Sequence, residues 1–597
     1  MAPGRLLIGQ IAVVIGVMFL GLVAGTQWVA HGLEYSVELG EPMFRLWSTP
    51  IFKPWDLFVW DYHFGAYAPD LFLTGTYITY LGAFGGIGCA FCASLLRARS
   101  KRQATTYGSA RWAGEPVLMS AGLLTGEGVI LGQSSDGRYL RHNGPEHVKV
   151  VAPTRSGKGV GVVIPTLLTW PGSVLVYDLK SENWNVTAGY RATFSRTIYF
   201  NPNDPRSAHF NPLLEVRRGD LEVRDVQNIA DMIVDPDGKG MSDHWAKTGH
   251  SLLVGTILHV LYAEPDKTLA GVANLLSNPA RTIVETLELM MHATHTESGT
   301  HPVVAAAARD MLNKSENERS GVLSTAMSFL SLYRDPIVAR NTEDSDFEIL
   351  DLMRKESPMS LYLVIPPSDI NRLRPLFRLM INQICRRLTE ELNPAGNKHR
   401  LLLMLDEFPA LGRLDFFESA LGVIAGYGIK AMLISQSTNQ LDKTYGMKNS
   451  IIDNTHVRVF YAPNTIETGE AVSRMLGQKT EIHQQRNYAG SRLAPWLGHV
   501  MVADQETARP LLTPGEVMEL PHENELLFVA GYSPIRAKKI RYYSDSAFAE
   551  RVLAPPVLRS RVSETASRSA ISAARPESVE KVVPATGTPS GHEEFLP

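Results

Sequence analysis

His147-Val-Lys-Val-Val-Ala152 runs directly into Ala152-Pro-Thr-Arg-Ser-Gly157-Lys158-Gly159-Val160-Gly161, and an apolar stretch follows to Trp170. The first six residues read as a short buried strand, the remainder as a glycine-containing turn that opens a helix. A phosphate-binding loop needs that context. Backbone N–H groups of the turn face the phosphates, the helix N-terminus adds positive potential, and the lysine reaches the β and γ phosphates. The backbone from Thr154 through Arg155, Ser156, Gly157, Lys158 and Gly159 to Val160 is the expected cradle. The match to G-x-x-x-x-G-K-[ST] is imperfect: Ala152 stands at the first glycine and Gly159 at the usual Mg²⁺-binding hydroxyl residue. An ordinary strand–turn–helix is the alternative. Pro165 removes a helix hydrogen bond and should shorten or kink the helix.

Two further strand ends decide between those readings. Arg400-Leu-Leu-Leu-Met-Leu405 is a continuous apolar run that ends in Asp406-Glu407. It reads as a buried parallel strand delivering two carboxylates to the carboxyl edge of a sheet, where α/β folds bind ligands. Asp406 is the expected holder of Mg²⁺, and Glu407 the residue that orients and polarises an attacking water. Ala431-Met-Leu-Ile434 ends in Ser435-Gln436, and a glutamine there can sense the γ-phosphate; a plain loop glutamine is the alternative. Lys158, Asp406, Glu407 and Gln436 together describe a site for ATP and Mg²⁺.

Composition bounds the rest. The 597 residues exceed one hydrophobic core, and 58 basic against 61 acidic residues leave a formal charge of -3. Any nucleic-acid contact must then be a local surface. Three cysteines support neither a disulfide framework nor a zinc site; Cys89 and Cys92 lie in an apolar run and read as packing residues.

Leu6 to Gly25 and Leu71 to Leu96 are uncharged, and each reaches the ~20 residues that cross a bilayer. Arg97, Arg99, Lys101 and Arg102 follow the second run, which puts residues 26–70 outside and everything after 97 in the cytoplasm. Trp28, Trp55, Trp60 and Tyr62 suit the outer boundary. A cleaved signal peptide is the alternative for the first run. Gly21-x-x-x-Gly25 and Gly82-x-x-x-Gly86 allow close helix approach and weakly suggest self-association.

Several strings carry a family likeness. They are Tyr107-Gly-Ser-Ala-Arg-Trp-Ala113, the Ala152–Gly161 loop, Val176-Tyr-Asp-Leu-Lys-Ser-Glu182, Phe210-Asn-Pro-Leu213, Leu405-Asp-Glu-Phe-Pro-Ala-Leu-Gly412, Ile434-Ser-Gln-Ser437 and Arg536-Ala-Lys-Lys-Ile-Arg-Tyr542. In this order they resemble the type IV secretion coupling proteins, the TraG-type conjugation ATPases. Gly159 in place of the hydroxyl is similar to that family too. The resemblance implies an α/β fold: a RecA-like P-loop motor domain with an inserted all-α domain, preceded by two transmembrane helices. It implies a homo-hexamer around a channel, set in a bacterial inner membrane with the ATPase in the cytoplasm. Implied partners are type IV secretion inner-membrane components, a relaxase–DNA complex or effector proteins, single-stranded DNA and the lipid bilayer. Relatives can complete the site with a neighbour's arginine; neither Arg413 nor Arg458 is a strong candidate for it.

The expected organisation is an anchor over 1–102 with helices near 6–25 and 71–96, a motor over 103–219 and 346–554, an inserted helical domain over 220–345, and a disordered tail over 555–597. Lys158 and Asp406 lie too far apart for a few strand–helix steps, so an insertion is needed between them. Leu253, Ile257, Val260 and Leu261 recur as an amphipathic stripe within it. His244, His250, His292, His295 and His301 lack ligand spacing and read as surface or capping residues. Arg372, Arg374, Arg378, Arg386 and Arg387 suit phosphate contacts or, as the alternative, a solvated helix surface or subunit interface. Asp178, Lys180 and Glu182 belong near the nucleotide or a subunit boundary, or are simple surface charge. Two rival functions are a receptor that binds nucleotide without acting as a motor, and a septum-type double-stranded DNA pump.

Overall fold

Strands buried on both faces must be mainly apolar, and five segments are buried along their whole length: Val148–Val151, Ser173–Asp178, Met359–Val364, Leu401–Leu405 and Ile429–Ser435. The computed structural model, which describes residues 8–99, 105–235, 238, 240–241, 243–392, 396–489 and 499–558, has two compact units, residues 1–105 and 106–597.

In the first unit, helices Ile8–Gly32 and Pro69–Arg99 pack along their length. The glycines of both G-x-x-x-G strings lie in this intramolecular contact. A Cβ on Gly21 would come 2.6 Å from the Gly82 Cα, and one on Gly86 would come 2.8 Å from Met18. The remaining helix faces expose Ile11, Leu20, Leu81 and Phe84, as lipid-facing helices do. Between the helices lie a short hairpin, β1 (Phe44–Leu46) with β2 (Thr49–Ile51), and helix Asp56–Phe64. Trp60 is buried there, edge-on to Phe52, and its indole N–H donates to the Leu39 carbonyl at 3.1 Å; Trp28, Trp55 and Tyr62 are exposed. The basic residues Lys101 and Arg102 lie outside the described residues.

The second unit is built on one sheet: β3 (Val129–Gln133), β4 (Tyr139–His142), β5 (Val148–Val151), β6 (Ser173–Asp178), β7 (Arg196–Phe200), β8 (Met359–Val364), β9 (Leu401–Leu405), β10 (Ile429–Ser435) and β11 (Val457–Phe460). A separate antiparallel hairpin, β12 (Gln478–Ala489) with β13 (His499–Pro510), intervenes before β14 (Asn524–Val529) and β15 (Ile535–Lys538) rejoin the sheet. The strand order is β4-β3-β15-β14-β11-β5-β10-β9-β6-β8-β7. The seven strands from β11 to β7 are parallel, and the other four form an antiparallel wing.

Strand alternation divides the interior. Val174 and Val176 pack on one face with helix Ile164–Leu167 and Trp184; Leu175 and Tyr177 pack on the other with helix Ile370–Leu388. That second core continues into helices inserted between β7 and β8, from Glu222–Val234 to Pro336–Asn341. Leu253, Ile257, Val260 and Leu261 are buried in it, and side chains of Asp243, Thr268, Thr282, His301, Ser315 and Asp335 cap its helices. His301 caps by accepting from Val303 N, His244 pairs with Glu318, and His250 with Asp231. His295 instead is buried against His259, 2.8 Å between ring nitrogens. The architecture is RecA-like with an inserted all-α domain. Of the tail expected over 555–597, residues from 559 on lie outside the described residues.

Candidate nucleotide site

Three parallel strands end side by side. β10 lies between β5 and β9, so the loops after Val151, Leu405 and Ser435 share one edge. The Ala152 N–H donates to the Ser435 carbonyl at 2.9 Å, which fastens the start of the phosphate loop to the end of β10. Ala152 is absent from the positive-φ residues, so its backbone makes no demand for glycine and the missing first glycine is accounted for. The loop reverses at Arg155 (φ 63°) and Gly157 (φ 92°), and the Ser156 hydroxyl donates to the Pro153 carbonyl at 2.6 Å. The helix then opens as a π-turn, Gly159–Val163, before Ile164–Leu167, an irregularity adjoining Pro165. Gly161 is needed for close approach: a Cβ there would sit 2.7 Å from the Tyr461 hydroxyl. A Cβ on Gly159 would meet nothing within 4 Å.

Lys158 projects from this turn to both carboxylates. Its Nζ is 3.0 Å from Asp406 Oδ1 and 2.9 Å from Glu407 Oε2. Burial alone would lower the lysine pKa, but the two carboxylates outweigh it and hold the ammonium above its ordinary value. Glu407 adopts φ 60°, a left-handed conformation that costs a non-glycine residue about 1–3 kcal/mol. The surrounding structure holds it there. Arg378, buried, donates to the carbonyls of Leu411 (3.0 Å) and Arg413 (2.6 Å) and clamps the following loop. Phe408 stacks on Tyr445, whose hydroxyl donates to the Gly412 carbonyl at 3.2 Å.

Gln436 joins the two halves. Its Oε1 accepts from the Thr154 hydroxyl at 2.9 Å, and the next residue, Ser437, caps helix Thr438–Tyr445. The same helix carries Tyr445, so one element touches both the loop after Glu407 and the residue facing the phosphate loop. Lys158, Asp406 and Glu407 therefore meet directly, and Gln436 is tied to the same phosphate loop through Thr154. The donor set is carboxylate and hydroxyl oxygen, which suits a hard divalent cation beside phosphates.

Other sequence candidates have different posts. Asp178 is buried at the end of β6, where it accepts from Lys180 N (3.2 Å) and Trp184 N (2.9 Å) and caps helix Glu182–Arg191. Burial pushes its carboxyl up to about 6 against those hydrogen bonds, and Asp406 adds to the rise. Arg413 pairs with Asp415 at 2.6 Å and Glu418 at 3.4 Å, and Arg458 donates to the carbonyls of Thr455 and Ile452. Arg372 pairs with Asp335, Arg387 with Glu390, and Arg386 lies over Phe416; with Arg378 buried, most of the arginine cluster is bound within the chain.

Lys539 was missed as a site residue, although it lies within the late Arg536–Tyr542 string. Its Nζ donates to the Ser156 carbonyl at 3.3 Å and sits 3.9 Å from the Tyr461 ring centroid, behind the phosphate loop. Tyr461 adjoins Glu525, whose carboxyl burial pushes well up.

A family model described as type IV secretory system conjugative DNA transfer matches residues 111–565. "Conjugal transfer protein TraG" of Escherichia coli is 41% identical, covering 92% of this chain and 93% of that protein. Among solved structures, the plasmid coupling protein TrwB in complex with the ATP analogue ADPNP is similar in fold, with TM-score 0.55 and 18% identity over 76% of this chain and 98% of that one. The same protein with ADP and Mg²⁺ gives TM-score 0.54 and 19% identity over 74% and 95%.

Proposed function

This chain belongs to the type IV secretory system conjugative DNA-transfer family, and from that premise we propose how its site residues divide the work of ATP hydrolysis. The chain is a P-loop ATPase that binds ATP and Mg²⁺ and energises substrate transfer through a type IV secretion system. It is anchored in the inner membrane by its two apolar helices, with the ATPase domain in the cytoplasm, and acts with secretion-system components on DNA or effector substrates.

The convergence of Lys158, Asp406 and Glu407 within 3.0 Å, with Gln436 on Thr154, is the observation that carries the assignment. Backbone N–H groups from Thr154 to Val160 cradle the phosphates, and Lys158 turns from the carboxylates to the β and γ phosphates. Asp406 would hold Mg²⁺, which would supply positive charge to offset that of the phosphates. Glu407 then faces the attacking water and draws on its proton. Gln436 reads the γ-phosphate and passes its loss to helix Thr438–Tyr445. With Gly159 lacking a hydroxyl, Thr154 and Ser156 supply the nearest loop hydroxyls.

The assembly is a homo-hexamer around a channel through which relaxase-bound single-stranded DNA or effector proteins pass. Among the described residues, neither Arg413 nor Arg458 supports a trans-acting role, since both bind within their own chain. Turnover by the full chain in lipid nanodiscs, with and without single-stranded DNA, tests this reading. DNA-stimulated hydrolysis that Lys158→Ala removes is expected. A nucleotide-bound protein without turnover would point to the receptor alternative.

A further inference from the structure

Lys539 follows β15 directly, and its backbone N–H donates to the Glu523 carbonyl at 2.8 Å. The next residue, Ile540, is buried, and its carbonyl would lie 3.2 Å from a Cβ on Gly161. The chain leaving β15 is thus packed against the turn that carries Lys158. From that backbone the Lys539 side chain reaches the rear of the phosphate loop. Its ammonium lies 3.9 Å from the centroid of the buried Tyr461 ring and donates to the Ser156 carbonyl at 3.3 Å. Burial lowers the ammonium's pKa from its ordinary value, and the Glu525 side chain opposes that. A partly desolvated cation over a ring face is held more firmly than one in water.

The consequence of this contact follows from peptide geometry. The Ser156 carbonyl and the Gly157 N–H belong to one planar trans peptide and point in opposite directions. A donor that fixes the carbonyl toward the rear therefore fixes the N–H toward the front, where the phosphates belong. The Gly157 N–H has no backbone partner among the described residues, whereas the Ser156 N–H donates to the Pro153 carbonyl and the Gly161 N–H to that of Gly157. Gly157 lies at φ 92°, and a glycine resists rotation of this plane less than any other residue. The plane needs a hold from outside the loop. Among the described residues, Lys539 is the one side chain that bonds the Ser156 carbonyl.

We propose that Lys539 is a positioning residue for the phosphate loop, holding the Ser156 carbonyl back so that the Gly157 N–H faces the bound phosphate, with the Tyr461 ring as its platform. This role rests on residues 154–160 forming the phosphate cradle. It ties the antiparallel wing to the nucleotide edge, so the end of β15 takes part in nucleotide binding without touching nucleotide.

The test is titration of the full chain in lipid nanodiscs with a fluorescent ATP analogue, beside phosphate-release kinetics with ATP. Lys539→Met keeps the stem and removes the donor, while Lys539→Arg keeps a cation and donors over the ring. Lys539→Met should weaken nucleotide binding and raise KM by about tenfold or more, with kcat falling less than KM rises. Lys539→Arg should recover most of that affinity, which a residue that only fills space would not do. Lys539→Ser, polar and too short to reach the loop, should weaken binding likewise and keeps the test decisive should Lys539→Met fail to fold. Unchanged affinity in Lys539→Met or Lys539→Ser, or equal loss in Lys539→Arg and Lys539→Met, would overturn the proposal. Lys158→Ala separates this role from the reading beneath it. Loss of binding in Lys158→Ala with none in Lys539→Met overturns the role of Lys539 alone; binding that survives Lys158→Ala overturns the phosphate cradle and this role with it.

Discussion

Glu407 and Lys158 sit 2.9 Å apart yet have separable roles, and substitution should split them. Glu407→Gln keeps the shape and a hydrogen-bond acceptor but loses the base, so hydrolysis should fall by about 10²–10⁴-fold while ATP still binds. Lys158→Ala should weaken nucleotide binding as well, and fluorescent-nucleotide titration beside a phosphate-release assay distinguishes the two. Normal turnover by Glu407→Gln would move the water-orienting role elsewhere. Asp178 makes a pH prediction. Its folded pKa of about 6 lies above the ordinary 3.8, so between those values the folded state holds a proton the unfolded chain has lost. Stability therefore falls as pH rises from about 4 to about 6, by a few kcal/mol at most. Asp178→Asn should flatten that decline in thermal melts; an unchanged slope would contradict it. Lys158, Asp406, Glu407 and Gln436 were legible because each ends or follows an apolar strand. Asp178 and Lys539 were less so, since capping and packing behind a loop leave no spacing signature.

At the scale of elements, the phosphate loop depends on what lies behind it. Gly161→Ala should press a methyl against the Tyr461 hydroxyl and destabilise the chain by about 1–3 kcal/mol. Tyr461→Phe removes that oxygen and should recover part of the loss in a double-mutant cycle; strictly additive effects would rule out the contact as the cause. The loop after Glu407 hangs on Arg378. Arg378→Met would strand the Leu411 and Arg413 carbonyls, with about 2–4 kcal/mol lost in urea denaturation and lower turnover. Full activity in that variant would show that the clamp does not position Glu407. The parallel strand Leu401–Leu405 is readable as an unbroken apolar run, whereas Arg196–Phe200 and Val457–Phe460 carry polar residues that hide them. The β12–β13 hairpin is hidden too: Gln478–Ala489 is largely polar, so neither burial nor alternation marks it. Likewise, the helix-packing glycines could not reveal whether their partner was another chain, and the structure places it within this one.

For the whole molecule, the sequence strings announced a motor interrupted by helices, and the interruption proves to share a core with the sheet. Leu175, Leu361 and Leu403 on the strands belong to the same apolar body as Leu253 and Val304 of the insertion. That continuity was hidden because an amphipathic stripe states that a face is buried, not against what. It makes the inserted domain continuous in packing with the face opposite the phosphate-loop helix. In the proposed mechanism the Lys158–Asp406–Glu407 site hydrolyses ATP to drive transfer. Its most direct test is phosphate release by the full chain in lipid nanodiscs, with and without single-stranded DNA, beside Lys158→Ala and Glu407→Gln. Hydrolysis by the unmodified chain, stimulated by DNA and reduced by about a hundredfold or more in both variants, is expected. Hydrolysis that survives both substitutions would contradict it.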